Sequence, residues 1–334
     1  MSPITREMIG PVPCPTDGAL FACPCVTVTM EPDICIIVNA RSGKRRGHAL
    51  GTELRAAIAR HGAERFALRG VQNGERIGAE VDRAVRDGFR TIVAAGGDGT
   101  VNAVAARLIE SDCRLGILPL GTFNYLARSL GISPHLDDAV RILVEGEERG
   151  LDVGDVNGRI FFNNASLGIY ATILEQRERT YRQLGRNRLV ACWAVLTTLL
   201  GRRARLSLKI SVDGEVQHLR TPVMFAANNV YQLERLGLEG GDCIKSHRLA
   251  LFVAPDCGRS ALVRLAIGLV LHRLTSRHDF KLLCGTDIVI EAHRGQHYLA
   301  LDGERVRIAS PFRFRVRQNR LRVLAPACLP PALA

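Results

Sequence analysis

Residues 91–102 of the chain read TIVAAGGDGTVN, an apolar run that leads into a glycine-rich turn and then into a helical pattern. An apolar run such as Thr91 to Ala95 is typical of a buried strand. Glycine lets backbone N–H groups approach phosphate oxygens closely, and a helix presents its positive N-terminus to an anion. The turn from Gly96 to Thr100 therefore predicts a phosphate site, and the alternative is an ordinary strand-to-helix turn.

Two side chains of this turn suit the same chemistry. Thr100 can cap the following helix or donate its hydroxyl group to a phosphate. Asp98 is placed to hold Mg2+ directly or through water.

A second polar turn, Gly121-Thr122-Phe123-Asn124, follows apolar residues 115–118 and opens another helix. The carboxyl ends of parallel strands meet along one crevice, so the two turns predict a single nucleotide site. Arg128 lies one helical turn after Asn124, and it either faces this site or forms a structural ion pair.

Strand and helix patterns alternate from residue 34 to about residue 130, which predicts a parallel α/β domain at residues 31–150. Residues 1–30 lack periodicity and predict a poorly ordered extension. Residues 151–311 contain many short strand patterns and predict a β-rich second domain, with helices near residues 171–200 and 259–275. Two domains suit a chain of 334 residues.

Composition narrows the class of partner. The formal net charge of +12 favours anionic partners, but the aromatic content of 5% argues against binding to single-stranded nucleic acid. The ten cysteines form no C-x-x-C pair, so neither a zinc site nor a compact disulfide framework is indicated, and a reducing cytoplasm fits best. No apolar segment is long enough to span a bilayer, so any membrane contact is expected to be peripheral.

A third motif, Asp302-Gly303-Glu304, carries two carboxylates in one turn. A carboxylate can act as general base toward a substrate hydroxyl group. Asp-Gly is also a common hairpin turn, so the motif by itself favours a structural role over a catalytic one.

Taken in order, these motifs resemble those of bacterial diacylglycerol-kinase-like lipid kinases, which are relatives of eukaryotic diacylglycerol, ceramide and sphingosine kinases. The resemblance covers about residues 34–323. It is carried by the segments VNARSGK (38–44), GGDGT (96–100) with Asn102, PLGTFNYLAR (119–128), NNASLG (163–168) and DGE (302–304).

The resemblance implies an N-terminal nucleotide-binding domain like that of phosphofructokinase and NAD kinase, followed by a C-terminal β-sandwich domain. It implies an acceptor cleft between the two and a last strand, at about residues 312–325, that returns to the first domain. The activity it implies is ATP- and Mg2+-dependent phosphorylation of a lipid hydroxyl group at the cytoplasmic face of a membrane.

The resemblance also assigns the site. Glu304 or Asp302 would be the base, and the two remain alternatives. Asp98 would be a partner of the Mg2+ that accompanies the nucleotide. The residues that would border the nucleotide are Asn39, Ser42, Gly43, Lys44, Gly96, Gly97, Asp98, Gly99, Thr100, Asn102, Gly121, Thr122 and Asn124.

One segment departs from the family pattern. Many relatives carry an L-D-x-G-x-L turn before the strand at residues 249–252, and its aspartate supports a structural Mg2+ site. This chain has Lys245 in that region, which puts the site in doubt, although Asp242 lies nearby as a substitute.

Partners follow from the same observations. ATP and a lipid substrate are expected, nucleic acid is not, and a homodimer is left open. Arginines flank the apolar residues 189–200, which suits an anionic membrane surface, and the alternative is a helix packed on the second domain.

Two other functions remain open. The glycine turn is shared with NAD kinases, so an NAD kinase-like enzyme is one alternative. The other is a regulatory protein that binds nucleotide or lipid and has lost catalysis.

Overall fold

The computed structural model of the protein describes residues 32–39, 47–72, 74–169, 205–258, 280–293 and 295–327, together with the single residues 172, 261, 262 and 264. All of them belong to one compact unit, Pro32–Ala334. The predicted extension at residues 1–30 and almost all of the predicted helices at 171–200 and 259–275 lie outside the described residues.

The first lobe alternates strands and helices. Its elements are β1 (Ile34–Asn39), α1 (Gly47–Arg60), β2 (Phe66–Val71), α2 (Ile77–Arg86), β3 (Thr91–Gly96), α3 (Asp98–Leu108), β4 (Arg114–Pro119), α4 (Tyr125–Ser129) and α5 (Leu136–Glu145). The strands run parallel in the order β2-β1-β3-β4.

Apolar patterning explains this layering. Residues 34–37 of β1 and 92–95 of β3 are fully buried, as expected where helices cover both faces of a parallel sheet. Helix α2 buries Ile77, Val81 and Ala84, which lie at helical spacing along one face. The sheet and its helices thus share one core.

The second lobe is built mainly from antiparallel strands. Its elements are β5 (Glu147–Val156), β6 (Arg159–Phe161), β7 (Asn164–Gly168), β8 (Leu206–Val212), β9 (Glu215–Thr221), β10 (Val223–Ala227), α6 (Val230–Leu236), α7 (Gly241–Lys245), β11 (Leu249–Val253), β12 (Lys281–Gly285), β13 (Asp287–Ala292), β14 (Gln296–Leu301), β15 (Glu304–Ala309) and β16 (Phe312–Ala325). Six of them form an antiparallel sheet in the order β12-β11-β10-β7-β14-β15.

This six-stranded sheet packs face to face on strands β8, β13 and β16. Alternate side chains of both layers, such as Leu167 and Leu251 on one and Ile288 and Phe314 on the other, form a second core. A sandwich of this kind is expected from strands that alternate buried and exposed residues.

Strand β16 belongs to both lobes. Its first half pairs with β13, where Phe314 lies beside Ile288, and its second half pairs with β4 through Val323 and Leu115. It also runs antiparallel to β5 along most of its length. The arginines of this strand include Arg315 and Arg317, which form ion pairs with Asp287 and Asp155 respectively.

The predicted fold class is confirmed, since a parallel α/β lobe precedes an antiparallel β lobe. One link was not predicted: Cys243 of α7 and Cys284 of β12 form a disulfide, with Cα atoms 5.8 Å apart. Within the described residues, no helix is long and apolar enough to cross a bilayer.

Candidate active site

The first glycine turn, residues 96–100, joins β3 to α3. A Cβ atom at Gly96 would lie 2.4 Å from Oγ1 of Thr100, so glycine is needed for Thr100 to fold back over the strand end. Thr100 is buried, and its Oγ1 accepts a hydrogen bond of 2.9 Å from Nδ2 of Asn39. Two predicted site residues therefore meet where the neighbouring strands β1 and β3 end.

The second glycine turn, residues 121–124, is shaped by Asn124. This buried residue adopts the left-handed conformation, with φ 51° and ψ 47°. Its Oδ1 accepts the N–H of Gly121 at 2.9 Å, and its Nδ2 donates to the carbonyl oxygens of Pro119 and Gly121. The amide of Asn124 therefore holds the turn in place rather than pointing into open space.

The two glycine turns are joined directly. The N–H of Leu120 donates to the carbonyl oxygen of Gly96 at 2.9 Å, and a Cβ atom at Gly121 would lie 2.5 Å from Cα of Gly97. Asp98 adds a charged connection, because its carboxylate accepts the N–H groups of Asn124 at 2.9 Å and Tyr125 at 2.6 Å. Backbone and side-chain contacts therefore hold the two predicted site turns together.

Room for an anion remains at the first turn of α3. Gly99 is exposed, and a Cβ atom there would meet no atom of the described residues within 4 Å. The first N–H groups of a helix have no partner inside the helix, so they are available to an anionic ligand. Thr122 of the second turn is exposed as well.

The Asp302-Gly303 turn is the hairpin that connects β14 to β15, and both residues have positive φ. The carboxylate of Asp302 accepts the N–H groups of Phe162 and Asn163 at 2.7 Å and of Asn164 at 3.0 Å. Burial raises the pKa of Asp302 to about 6, although these N–H donors favour the ionised form. Its oxygens hold the turn against the start of β7.

Glu304 differs from Asp302 in being exposed at the first position of β15. No hydrogen bond or ion pair joins its carboxylate to any residue that the structure describes. It is therefore the carboxylate of this turn that is available to a substrate.

A bridge of hydrogen-bonded side chains connects the Asp302 turn to the first lobe. The Nδ2 atom of Asn229 donates to Oδ1 of Asn163 at 2.8 Å and to Oγ of Ser129 at 3.3 Å. The backbone of Asn163 in turn donates to Asp302. Since Ser129 ends α4, the bridge links the hairpin to the helix that starts at the second glycine turn.

Sequence reasoning missed three members of this network, namely Ser129, Asn229 and Gln232. Oδ1 of Asn229 caps α6 by accepting the N–H of Gln232 at 3.0 Å, and Gln232 accepts a hydrogen bond from Nδ2 of Asn164 at 2.9 Å. The signal that could have found them is the pair Asn228-Asn229, which directly follows the apolar strand β10.

Asp98 and Asp242 are the two residues predicted to contact Mg2+. Asp98 is the single carboxylate of the two glycine turns, and Asp242 is exposed in the first turn of α7. Across the described part of the chain, no group of three or more His, Cys, Asp or Glu side chains could hold a metal ion. Both metal roles stay predictions.

The remaining predicted site residues divide into two sets. Asn102 lies on α3, where its Oδ1 atom is buried and has no hydrogen-bond partner among the described residues. Ser42, Gly43 and Lys44 lie outside the described residues.

Comparison with known proteins supports the resemblance. Residues 33–156 match the diacylglycerol kinase catalytic domain family. A diacylglycerol kinase from Bacillus anthracis superposes with a TM-score of 0.63 at 18% identity, over 90% of this chain and 98% of that one. Two other structures from the same organism give TM-scores of 0.69 and 0.68 at 19% identity.

Curated relatives match over shorter stretches. A protein of Citrobacter koseri named "Probable lipid kinase YegS-like" is 42% identical over 98 residues, which is 28% of this chain and 32% of that protein. A diacylglycerol kinase of Staphylococcus aureus is 33% identical over 135 residues, which is 40% of this chain and 42% of that protein. The matched part spans about a third of the YegS-like relatives.

The resemblance recognised from the motifs is thereby confirmed. Residues 33–156 match the diacylglycerol kinase catalytic domain family, and parts of the chain are similar to bacterial diacylglycerol kinases and YegS-like lipid kinases.

Proposed function

We propose that the protein transfers the γ-phosphoryl group of ATP to a hydroxyl group of a lipid. The observation that carries this proposal is the bridge from Ser129 through Asn229 and Asn163 to Asp302. It ties a hairpin with an exposed carboxylate to the helix that begins at the two glycine turns. The kinase names of the relatives support the same reaction.

The nucleotide phosphates are assigned to the first turn of α3. The open space at Gly99 and the helix N-terminus suit an anion, and the turns are already held together without it. A preorganised set of N–H donors stabilises charge that develops during phosphoryl transfer.

Glu304 is assigned as the general base. The hydroxyl oxygen of the acceptor attacks the γ-phosphorus, its proton passes to the carboxylate of Glu304, and the bond from the γ-phosphorus to the bridging oxygen breaks to release ADP. Asp302 is assigned a positioning role, because its oxygens already accept three backbone N–H groups.

Mg2+ is assigned to the nucleotide, where it neutralises phosphate charge. Asp98 fits such an ion as an outer partner, since a nucleotide-bound Mg2+ keeps several waters and needs few protein carboxylates. Each oxygen of Asp98 accepts one N–H group and retains a lone pair for water.

The test uses radiolabelled ATP with a total membrane lipid extract, followed by identification of the labelled species. We expect a labelled lipid with the wild-type protein and a decrease in kcat of about 100- to 10,000-fold with E304Q. The thermal unfolding midpoint of E304Q should match that of the wild type, because the side chain is exposed.

Glu215 offers a matched control. It is the exposed first residue of β9 and follows an Asp213-Gly214 turn in which both residues have positive φ, as in the Asp302-Gly303 turn. E215Q should therefore keep full activity. Absence of any labelled lipid, or wild-type turnover in E304Q, would contradict the proposal, and labelling of NAD in a parallel assay would favour the NAD kinase-like alternative.

A further inference from the structure

The turn that leads from α7 into β11 departs from the family pattern at two positions. Many relatives carry L-D-x-G-x-L here, whereas this chain has IKSHRL at residues 244–249. Lys245 stands in the place of the aspartate that supports a structural Mg2+ ion in those relatives. His247 stands in the place of the glycine, so the ligand and the turn residue have changed together.

His247 keeps a backbone conformation that suits glycine. Its φ is 56°, in the left-handed region that glycine adopts freely and other residues adopt at a steric cost. The backbone N–H of His247 donates to the carbonyl oxygen of Ile244 at 3.0 Å and closes the turn. A strained conformation of this kind persists where the surrounding structure holds it, which directs attention to the contacts of the histidine side chain.

The side chain of His247 contacts Asp152 of β5. Its Nδ1 atom lies 2.5 Å from Oδ2 of Asp152. A carboxylate oxygen of this pair accepts, so Nδ1 carries the hydrogen and donates it. Oδ1 of Asp152 accepts the backbone N–H of Asn319 in β16 at 2.9 Å. Asp152 therefore fastens the turn before β11 to β5 and β16, the two strands that pair along the junction of the lobes.

Asp152 is also connected to the candidate active site. Its carbonyl oxygen accepts a hydrogen bond of 3.0 Å from Nδ2 of Asn228. The backbone N–H of Asn228 donates to the carbonyl oxygen of Asn163 at 2.8 Å, and Asn163 belongs to the bridge to Asp302. His247 thus lies at the outer end of a continuous set of hydrogen bonds that reaches the acceptor side of the site.

The residues of this turn do not fit a structural Mg2+ ion. Mg2+ requires oxygen ligands in near-octahedral geometry, and Lys245 brings a positive charge to the position of the ligand. Both oxygens of Asp152 already accept hydrogen bonds. Asp242, the substitute expected from sequence, is exposed in the first turn of α7. The turn is instead secured by hydrogen bonds, and by the disulfide that joins Cys243 of α7 to β12.

We propose that the hydrogen bond from His247 to Asp152 replaces the structural Mg2+ ion of the relatives. Loss of the aspartate removes the metal ligand, and the histidine in place of glycine supplies a direct link to the strands between the lobes. The inference goes beyond the proposed function, because it concerns what holds the acceptor side in place and not which molecule is phosphorylated.

The first measurement is thermal unfolding of the full chain without nucleotide, in EDTA or in millimolar MgCl2. We expect the same midpoint for the wild type in both, since a ligand that binds the native state raises the midpoint and its removal lowers it. A wild-type midpoint that falls in EDTA overturns the proposal. If D242N abolishes that fall, the ion is held by Asp242.

Two substitutions at His247 isolate the side chain. H247G removes the contact with Asp152 but suits the left-handed backbone, so a lower midpoint cannot come from strain. H247N places an amide donor at the δ position of the ring nitrogen, and asparagine also tolerates this backbone region. We expect H247G to lower the midpoint by about 2–4 °C and H247N to stay near the wild type. A midpoint of H247G equal to that of the wild type would rule out any role for the contact.

The variant K245D/H247G restores the family turn and tests the replacement directly. We expect it to be destabilised in EDTA and to recover about 2–4 °C in MgCl2, whereas H247G without the aspartate should not respond to the ion. No response in K245D/H247G, or an equal response in H247G, would show that histidine and metal are not interchangeable here and would overturn the proposal. These measurements need no turnover, so their outcome is independent of the lipid phosphorylation assay.

Discussion

The carboxylate of Asp98 accepts the backbone N–H of Tyr125 at 2.6 Å, although the two residues are separated by 27 positions in sequence. The second oxygen accepts the neighbouring N–H of Asn124. A side chain from one glycine turn therefore caps the helix that starts at the other. Asp98 therefore has a structural role, as a helix cap, in addition to any contact with Mg2+.

Replacement of Asp98 by asparagine tests that role. D98N loses the charge and one acceptor oxygen, so we expect the free energy of unfolding to fall by about 1–3 kcal/mol. Urea unfolding measures the change, and D112N is the control because the side chain of Asp112 is 98% exposed. An unchanged urea midpoint in D98N would show that the cap contributes nothing.

Gly121→Ala tests the contact between the turns. The added Cβ would meet Cα of Gly97 at 2.5 Å and Oδ1 of Asn124 at 2.6 Å, so the turns must separate. We expect a loss of about 1–3 kcal/mol in the free energy of unfolding, as for other overpacked sites, together with weaker ATP binding. Thermal unfolding and nucleotide titration provide the two readouts.

For Gly99→Ala we predict no loss of stability, in contrast to Gly121→Ala. The added Cβ meets no atom within 4 Å in the part of the protein that the structure describes, and alanine favours a helix over glycine by about 1 kcal/mol. We therefore expect a fold at least as stable as the wild type and a lower affinity for ATP, because the methyl group occupies the place assigned to phosphate. An unchanged affinity for ATP would indicate that the nucleotide phosphates bind elsewhere.

The raised pKa of Asp302 predicts that its contribution to stability depends on pH in an unusual direction. Its pKa is raised to about 6 in the folded protein, so the native state binds this proton more tightly than the unfolded chain. The stability that Asp302 contributes is then greatest below about pH 4 and is lost as the pH rises to about 6. Urea unfolding of wild type and D302N over this range gives the difference, which should decrease with pH.

Asp213 provides a control of opposite sign. Partial burial raises its pKa, but hydrogen bonds from the backbone of Asp287 and from Thr286 outweigh this effect and leave the pKa below its usual value. Its contribution should be present above about pH 4 and lost at lower pH. The difference in unfolding free energy between wild type and D302N could instead rise with pH, as expected for wild type and D213N. That result would show that the N–H donors of Asp302 affect its pKa more than burial does.

The disulfide between Cys243 and Cys284 predicts that a reducing agent lowers the stability of the protein. Cys243 and Cys284 enclose a loop with a sequence separation of 41, and opening it should cost about 2–4 kcal/mol of unfolding free energy. Urea unfolding with and without dithiothreitol measures this cost. The C243S/C284S variant should be as unstable as the reduced protein and insensitive to dithiothreitol, and a wild type that does not respond would contradict the pairing.

The first lobe could be predicted from sequence because its signals are local. Residues 91–95 form an uninterrupted apolar run, and the helix that follows begins at a glycine turn, so strand, turn and helix are each recognisable within a dozen residues. The relation between the two glycine turns follows from parallel strand geometry. What could not be foreseen is that Asp98 and Asn124 use their side chains to join the turns.

The acceptor side of the site was harder to predict, as two identical tripeptides illustrate. Asp213-Gly214-Glu215 and Asp302-Gly303-Glu304 both form hairpin turns with positive φ. Only the second lies against the start of β7 and the bridge through Asn229. Local sequence determines the turn, whereas residues distant in the chain determine whether its carboxylate borders a cleft.

Strand β16 has a consequence for biosynthesis. Residues 33–156 contain helices α1 to α5 and the four parallel strands β1 to β4 of the first lobe, yet the edge of β4 is closed by Val323 and its neighbours. During translation the edge of β4 stays unpaired until strand β16, which ends at Ala325, has left the ribosome. A fragment cut at residue 156 would leave β4 and β5 without the strand that joins them, so the region that sequence comparison marks as a domain is not expected to be an autonomous folding unit.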